Sequence, residues 1–204
     1  MKLISLTFDD GPDTDTTCDV LDRLARYNIP ASFFLIGQNI NAESRKSAER
    51  ALKQGCEIEN HSFTHSDMTK LSPDEIIDEV SRTTELIKDI SGRAPQFFRP
   101  PYISINNTMY QAIDLAFVQG AMLNDWENGT SVQQRVNNAL NAARDGQIIM
   151  LHDFEGNYQT VQALSQIIEG LKNQGYQFVT LSELFQYKGK NANQEYKIWS
   201  NVFN

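Results

Sequence analysis

Short apolar runs alternate with helix-period stretches from one end of this chain to the other, and that alternation constrains the fold more than any other feature. The runs Leu3–Phe8, Ala31–Ile36, Glu57–Asn60, Phe97–Pro100, Ala116–Met122, Ile148–Leu151 and Gln177–Leu181 read as strands, several apolar throughout as in strands buried on both faces. Between them the spacing predicts helices over Thr16–Tyr27, Ala42–Gln54, Asn107–Asp114, Val132–Ala143, Thr160–Gln174 and Ser182–Tyr187. The clearest helix starts at Ser72. Pro73 takes its first position, Glu75 closes a capping box, and Ile76, Ile77, Val80, Ile87 and Ile90 form one apolar stripe. Alternation of this kind is α/β and builds a parallel sheet with helices outside it. With about seven units, an open doubly wound sheet and a closed or nearly closed (β/α) barrel both satisfy the pattern.

The 204 residues, 40% of them hydrophobic, support one core, so a single domain over residues 1–204 is expected, without repeats or linkers. The segment Gly189–Gln194 is polar and reads as a surface loop. A net charge of −8 would repel a phosphate backbone and leaves no basic cluster for nucleic acid or anionic lipid, whereas a neutral glycan is not penalised. No apolar run is long enough to span a bilayer. Cys18 and Cys56 form no framework or metal-type pair and are expected to be small, largely buried thiols.

Candidate chemistry gathers at strand ends. Thr7-Phe8-Asp9-Asp10-Gly11-Pro12 ends a strand in two adjacent carboxylates, which need a cation or a shared proton if they meet in one pocket. The same residues would also serve as an ordinary turn. In Asn60-His61-Ser62-Phe63-Thr64-His65 two histidines four apart would share one face of a helical turn, a spacing that permits a metal chelate. The third of only 3 histidines, His152, ends another strand in Leu151-His152-Asp153. Arg99-Pro100-Pro101-Tyr102 and Asp125-Trp126 follow two further strands. An arginine can hold a neighbouring acid ionised, and an aspartate can fix a histidine's tautomer and charge. Each motif alone has a bland reading, but their common address is where β/α enzymes build active sites.

Together, and in this order, the five segments resemble the motifs of carbohydrate esterase family 4, polysaccharide deacetylases sharing the NodB homology domain. The C-terminal Phe178-Val179-Thr180-Leu181-Ser182-Glu183-Leu184-Phe185 is further similar to clostridial-type acetylxylan esterases. The resemblance implies a distorted (β/α) barrel and one divalent metal, zinc by default with cobalt or nickel able to replace it, held by Asp10, His61 and His65. It implies Asp9 as general base with Arg99 as partner, His152 as general acid oriented by Asp125, and the Tyr102 backbone N–H facing the oxyanion. Trp126 and Leu151 would wall the acetyl methyl. One departure is Ile103, where many members have glycine after the tyrosine, beside the oxyanion position. The implied partner is an acetylated polysaccharide, with O-acetyl xylan favoured over the N-acetyl groups of chitooligosaccharides or peptidoglycan. On these grounds the protein is expected to be a monomer, alone or as one module of a larger secreted enzyme. The apolar run at Leu3 leaves no room for a signal peptide within this sequence.

Overall fold

The choice between an open sheet and a barrel turns on the run at 116–122. In the computed structural model, which describes residues 1–204, this run is two strands rather than one. β1 (Lys2–Asp9), β2 (Ser32–Leu35), β3 (Glu57–Asn60), β4 (Phe97–Phe98), β5 (Ala116–Val118), β6 (Ala121–Met122), β7 (Gln147–His152), β8 (Tyr176–Phe178) and β9 (Ile198–Trp199) all pair in parallel. The hydrogen-bonded order runs β6-β7-β1-β2-β3-β4-β5-β9. β5 and β6 therefore lie towards opposite ends of the ladder, yet only Gln119 and Gly120 separate them in the chain. The sheet has curled until its two ends meet, which gives the distorted barrel. Gly120 makes the jump at φ 93°, and a Cβ there would sit 3.1 Å from the Ile148 carbonyl oxygen, so glycine suits it.

Nine short strands replace the expected seven, and β9 has no counterpart in the sequence reading. It pairs with β5, its Trp199 carbonyl accepts from the Gln119 and Gly120 amides, and Asn201 bridges to Gln147 on β7. This C-terminal segment plugs the gap left where β5 stops and β6 starts.

Seven helices surround the strands: α1 (Thr16–Tyr27), α2 (Arg45–Lys53), α3 (Pro73–Ser91), α4 (Asn107–Ala112), α5 (Val132–Ala142), α6 (Tyr158–Asn173) and α7 (Leu181–Tyr187). The Ser72–Glu75 capping box forms as expected, and Ser131–Gln134 and Thr180–Glu183 form two more ahead of α5 and α7. Strand alternation divides the core. Ile4, Leu6 and Phe8 of β1 pack outward under α1, α2, α5 and α6, whereas Leu3 points inward to Phe34, Phe97, Ile148 and Leu181. The same alternation sends Thr7 and Asp9 inward, which begins the site.

Candidate active site

Asp9 and His152 are cross-strand partners at the tops of β1 and β7, so the register alone sets an acid beside an imidazole inside the barrel mouth. Arg99 follows β4 and enters from the opposite side. Its guanidinium lies 4.1 Å from the Phe34 ring centroid and donates to Asp9 Oδ1 at 2.5 Å and to Thr7 Oγ1 at 2.9 Å. Both residues are almost fully buried, and Asp9 Oδ2 stays clear of Arg99, 4.0 Å from His61 Nε2. Burial weakens the hold of Arg99 on its proton and the Asp9 charge opposes that loss.

Asp10 lies beyond the strand at φ 75°, which turns its carboxylate towards the two histidines. Its Oδ1 sits 3.3 Å from Nε2 of His61 and 3.3 Å from Nε2 of His65. The histidines are not on a helical turn, contrary to the spacing argument. Ser62 and His65 are both left-handed, and the loop is pulled into shape from α3. Glu79 accepts from the amides of Phe63 and Thr64 at 2.9 and 2.8 Å and from the Thr64 hydroxyl, while Thr83 donates to the Ser62 carbonyl. His61 Nδ1 meets the Arg99 carbonyl at 2.7 Å, which fixes the proton there and leaves Nε2 free as a ligand.

The donor set fits a divalent metal. One ligand atom from each of Asp10, His61 and His65 lies within 4.8 Å of the others, and Asp10 Oδ1 is buried with no hydrogen-bond partner. Burial works to raise the Asp10 pKa, but the His61 imidazole and the charges of His152 and His65 bring it down to about 2. Burial and the His61 charge hold His65 below the ordinary imidazole range. Carboxylate and neutral imidazole are the forms that bind metal.

On the other side, Asp125 is fully buried and accepts from His152 Nδ1 at 2.7 Å, the His152 amide at 2.8 Å and the Thr160 hydroxyl at 2.9 Å. Burial disfavours protonated His152, but Asp125 more than reverses this, and the nearby charges of Asp9 and Asp10 add to lift its pKa to about 9. Asp125 is itself held from α5 by Arg135, a residue the sequence reading missed. This buried guanidinium donates to the carbonyls of Asp125, Glu127 and Thr130, and to Asn157 Oδ1 and Thr160 Oγ1. An arginine at a buried helix position was the available signal.

Asp9, Asp10, His61, His65 and His152 line one cleft of about 290 Å³ together with Pro100, Tyr102, Ile103, Met122, Trp126 and Met150, with Arg99 and Asp125 buried behind it. Tyr102 is left-handed, and its N–H has no acceptor within the protein, as a donor reserved for a ligand would be. Its ring packs edge-on to His65 at 4.7 Å, and Trp126 does the same to His152 at 5.2 Å. Leu151 does not line the cleft. With His152 pointing inward, alternation turns Leu151 outward among the helices, and the apolar wall comes from Met150 and Met122 instead. Six of the eight left-handed residues other than glycine ring this mouth: Asp10, Ser62, His65, Tyr102, Ile103 and Asn124. Each costs on the order of 1–3 kcal/mol, a pattern of stored strain typical of functional sites.

With that geometry in hand, residues 1–120 match the sequence profile of the family described as polysaccharide deacetylase. The chain belongs to the polysaccharide deacetylase family. It is 61% identical over 201 residues to the bifunctional xylanase/deacetylase of Pseudobutyrivibrio xylanivorans, covering 98% of this chain and 33% of that protein, so it spans about a third of that relative's length. Two solved structures share the deacetylase fold closely. The Xyl-CE4 domain of a multidomain xylanase from the hindgut metagenome of Trinervitermes trinervoides is 63% identical with TM-score 0.97, covering 99% of this chain and 98% of that one. A family 4 acetyl xylan esterase from Clostridium thermocellum, in complex with a cobalt ion, is 41% identical with TM-score 0.95, covering 98% of this chain and 99% of its own. The fold agrees with the NodB-like barrel that the motifs implied.

Proposed function

We propose that this chain is a metal-dependent acetylxylan esterase that hydrolyses O-acetyl groups on xylan. The reading rests above all on one observation. The Asp10, His61 and His65 donor set shares its cleft with Asp9, held from behind by Arg99, and with His152, held from behind by Asp125, so a base, an acid and a metal site reach one point. Likeness to proteins described as a xylanase/deacetylase and an acetyl xylan esterase supports xylan as the substrate. A divalent ion bound by the three ligands, zinc by default and cobalt or nickel by similar ligand preference, would acidify a water and polarise the acetyl carbonyl.

The protein's own groups complete the reaction. Asp9, held through Oδ1 by Arg99, presents Oδ2 to take the proton of the attacking water. As the carbonyl oxygen gains charge, the Tyr102 N–H donates to it from a position that needs no reorganisation. His152 is protonated before the reaction begins and gives its Nε2 proton to the departing sugar oxygen, while Asp125 stabilises the charged ring until then. Trp126, Met122 and Met150 surround the methyl group and exclude water.

The test is acetate release after chelation and reconstitution with zinc or cobalt. Acetylated xylan should be hydrolysed and N-acetylglucosamine oligomers much more slowly; the reverse order would make the protein an N-deacetylase. Because acetylated xylan lies outside cells, we further propose a secreted protein that acts as one module of a longer chain, testable by finding the native protein and its flanking domains in culture medium.

A further inference from the structure

Ile103 is held at φ 55°, directly after Tyr102 at φ 58°. A β-branched side chain is the least tolerant of this conformation, and glycine would adopt it freely. The other left-handed residues of the mouth have reasons to be there. Asp10 and His65 are candidate ligands, Ser62 Oγ accepts from the His65 amide, Asn124 leads into Asp125, and Tyr102 presents its free N–H. Ile103 does none of this. Its N–H closes an ordinary turn onto the Pro100 carbonyl, which glycine would also do. What isoleucine adds is a branched apolar side chain, half-buried and lining the cleft that holds the reacting groups.

We propose that Ile103 is a specificity-determining residue that selects an acetylated 1,4-linked pentose chain over the matching hexose chain. The inference rests on the deacetylase reading above and names what the cleft excludes. In a β-1,4-linked glycan successive rings are flipped, so the C5 substituent of one ring lies along the same edge as the C2 and C3 groups of its neighbour. A wall standing beside an acetyl group at C2 or C3 therefore meets that substituent. In xylan it is a hydrogen; in a hexose polymer it is a hydroxymethyl group. A branched aliphatic side chain beside the oxyanion donor fills the space the hydroxymethyl would need and offers its hydroxyl no hydrogen bond, so the hexose chain loses on both counts. The acetyl group itself is identical in the two polymers, so the discrimination is between the rings and not between leaving atoms.

Acetylated xylo-oligosaccharides and equally acetylated cello-oligosaccharides isolate this effect, because both carry esters on the same linkage. For the native protein kcat/KM should favour the xylo series. Ile103→Ala and Ile103→Gly should each move the ratio towards the cello series by about tenfold, the scale on which a pocket senses a carbon or two. The thermal midpoint separates space from strain. Alanine keeps the unfavourable φ and glycine relieves it, so the glycine variant should melt no lower than the alanine variant although it has lost more side chain. A ratio that both folded variants leave unchanged, or that only the glycine variant moves, would overturn the proposal. A native protein active on acetylated xylo-oligosaccharides but indifferent to the ring would overturn it too and leave the esterase reading standing, whereas release from neither ester would remove that reading as well.

Discussion

The two carboxylates that flank the cleft are both buried, and each is served by a buried arginine, yet the arginines are used in opposite ways. Arg99 touches Asp9 directly; Arg135 turns its N–H groups to backbone carbonyls, Asn157 and Thr160, and leaves the Asp125 carboxylate to His152 and the Thr160 hydroxyl. A guanidinium on one carboxylate oxygen fixes the group and shares its charge, which suits a base that must present its other oxygen to a water in one position. A carboxylate fixed by neutral donors keeps its charge for the imidazole beside it, which suits an acid that must be reloaded with a proton. Placement of the cation, more than its presence, separates the base half from the acid half.

The largest effect should come from what the halves share. Asp10→Ala removes one of three ligands and should release the metal, so activity on every acetate falls by roughly three orders of magnitude, the several kcal/mol a Lewis acid supplies. Metal analysis checks it, and full metal occupancy with a near-native rate would overturn the ligand assignment.

Next come the two halves taken singly. Asp9→Asn should keep its metal and lose about 10²-fold or more on sugar acetates and 4-nitrophenyl acetate alike, since both need the same water. His152→Ala should lose about 10²-fold or more on the glycan and clearly less on 4-nitrophenyl acetate, whose leaving group needs no proton. Equal losses from His152→Ala on both would erase the distinction between acid and base.

Asp125→Asn sharpens the acid half through pH. Against the effect of burial, Asp125, with Asp9 and Asp10 adding to it, lifts His152 from 6.5 to about 9, so its loss should draw the basic limb of the rate profile downward. The sign for stability follows from the raised folded value: the pair's contribution is complete below about pH 6.5 and disappears as pH rises through about 9. Asp125→Asn should therefore lower the thermal midpoint of the metal-free protein more at pH 6 than at pH 10. Arg135→Lys, the smallest change, keeps the charge but not the fork, and should move the basic limb in the same direction by less. Rates lowered equally at all pH values would mean that Arg135 serves only the fold.

The strand-end motifs were legible because each is local: a strand, then its polar tip. Asp10, His61, His65, Arg99, Tyr102, Asp125, Trp126 and His152 could be named from runs of a few residues each. What escaped depends on contacts between distant segments. Glu79 looks like an ordinary helix residue, and Arg135 shows at most a charge among the apolar positions of its helix, until α3 and α5 are laid against the loops they clasp. The break between β5 and β6 is hidden because Ala116–Met122 reads as one run, and β9 because two residues give no period. Leu151 was a different failure. Period-two alternation from His152 selects Met150, so the signal was present and adjacency obscured it.

The ladder around β1 has a consequence for how the chain is made. β1 is completed within the first residues of this sequence, but it pairs along most of its length with β7 and at its base with β8, well over a hundred residues later. At about 5–20 residues per second, translation leaves the apolar segment Leu3–Phe8 waiting on the order of ten seconds for its neighbour on that side. During that interval an unpaired, β-prone edge is exposed to other nascent chains, and contacts so distant in sequence form slowly even after release. The side of β1 that sets Asp9 beside His152 is thus closed late, and ribosome-bound fragments lacking β7 should be far more prone to aggregate than the finished barrel.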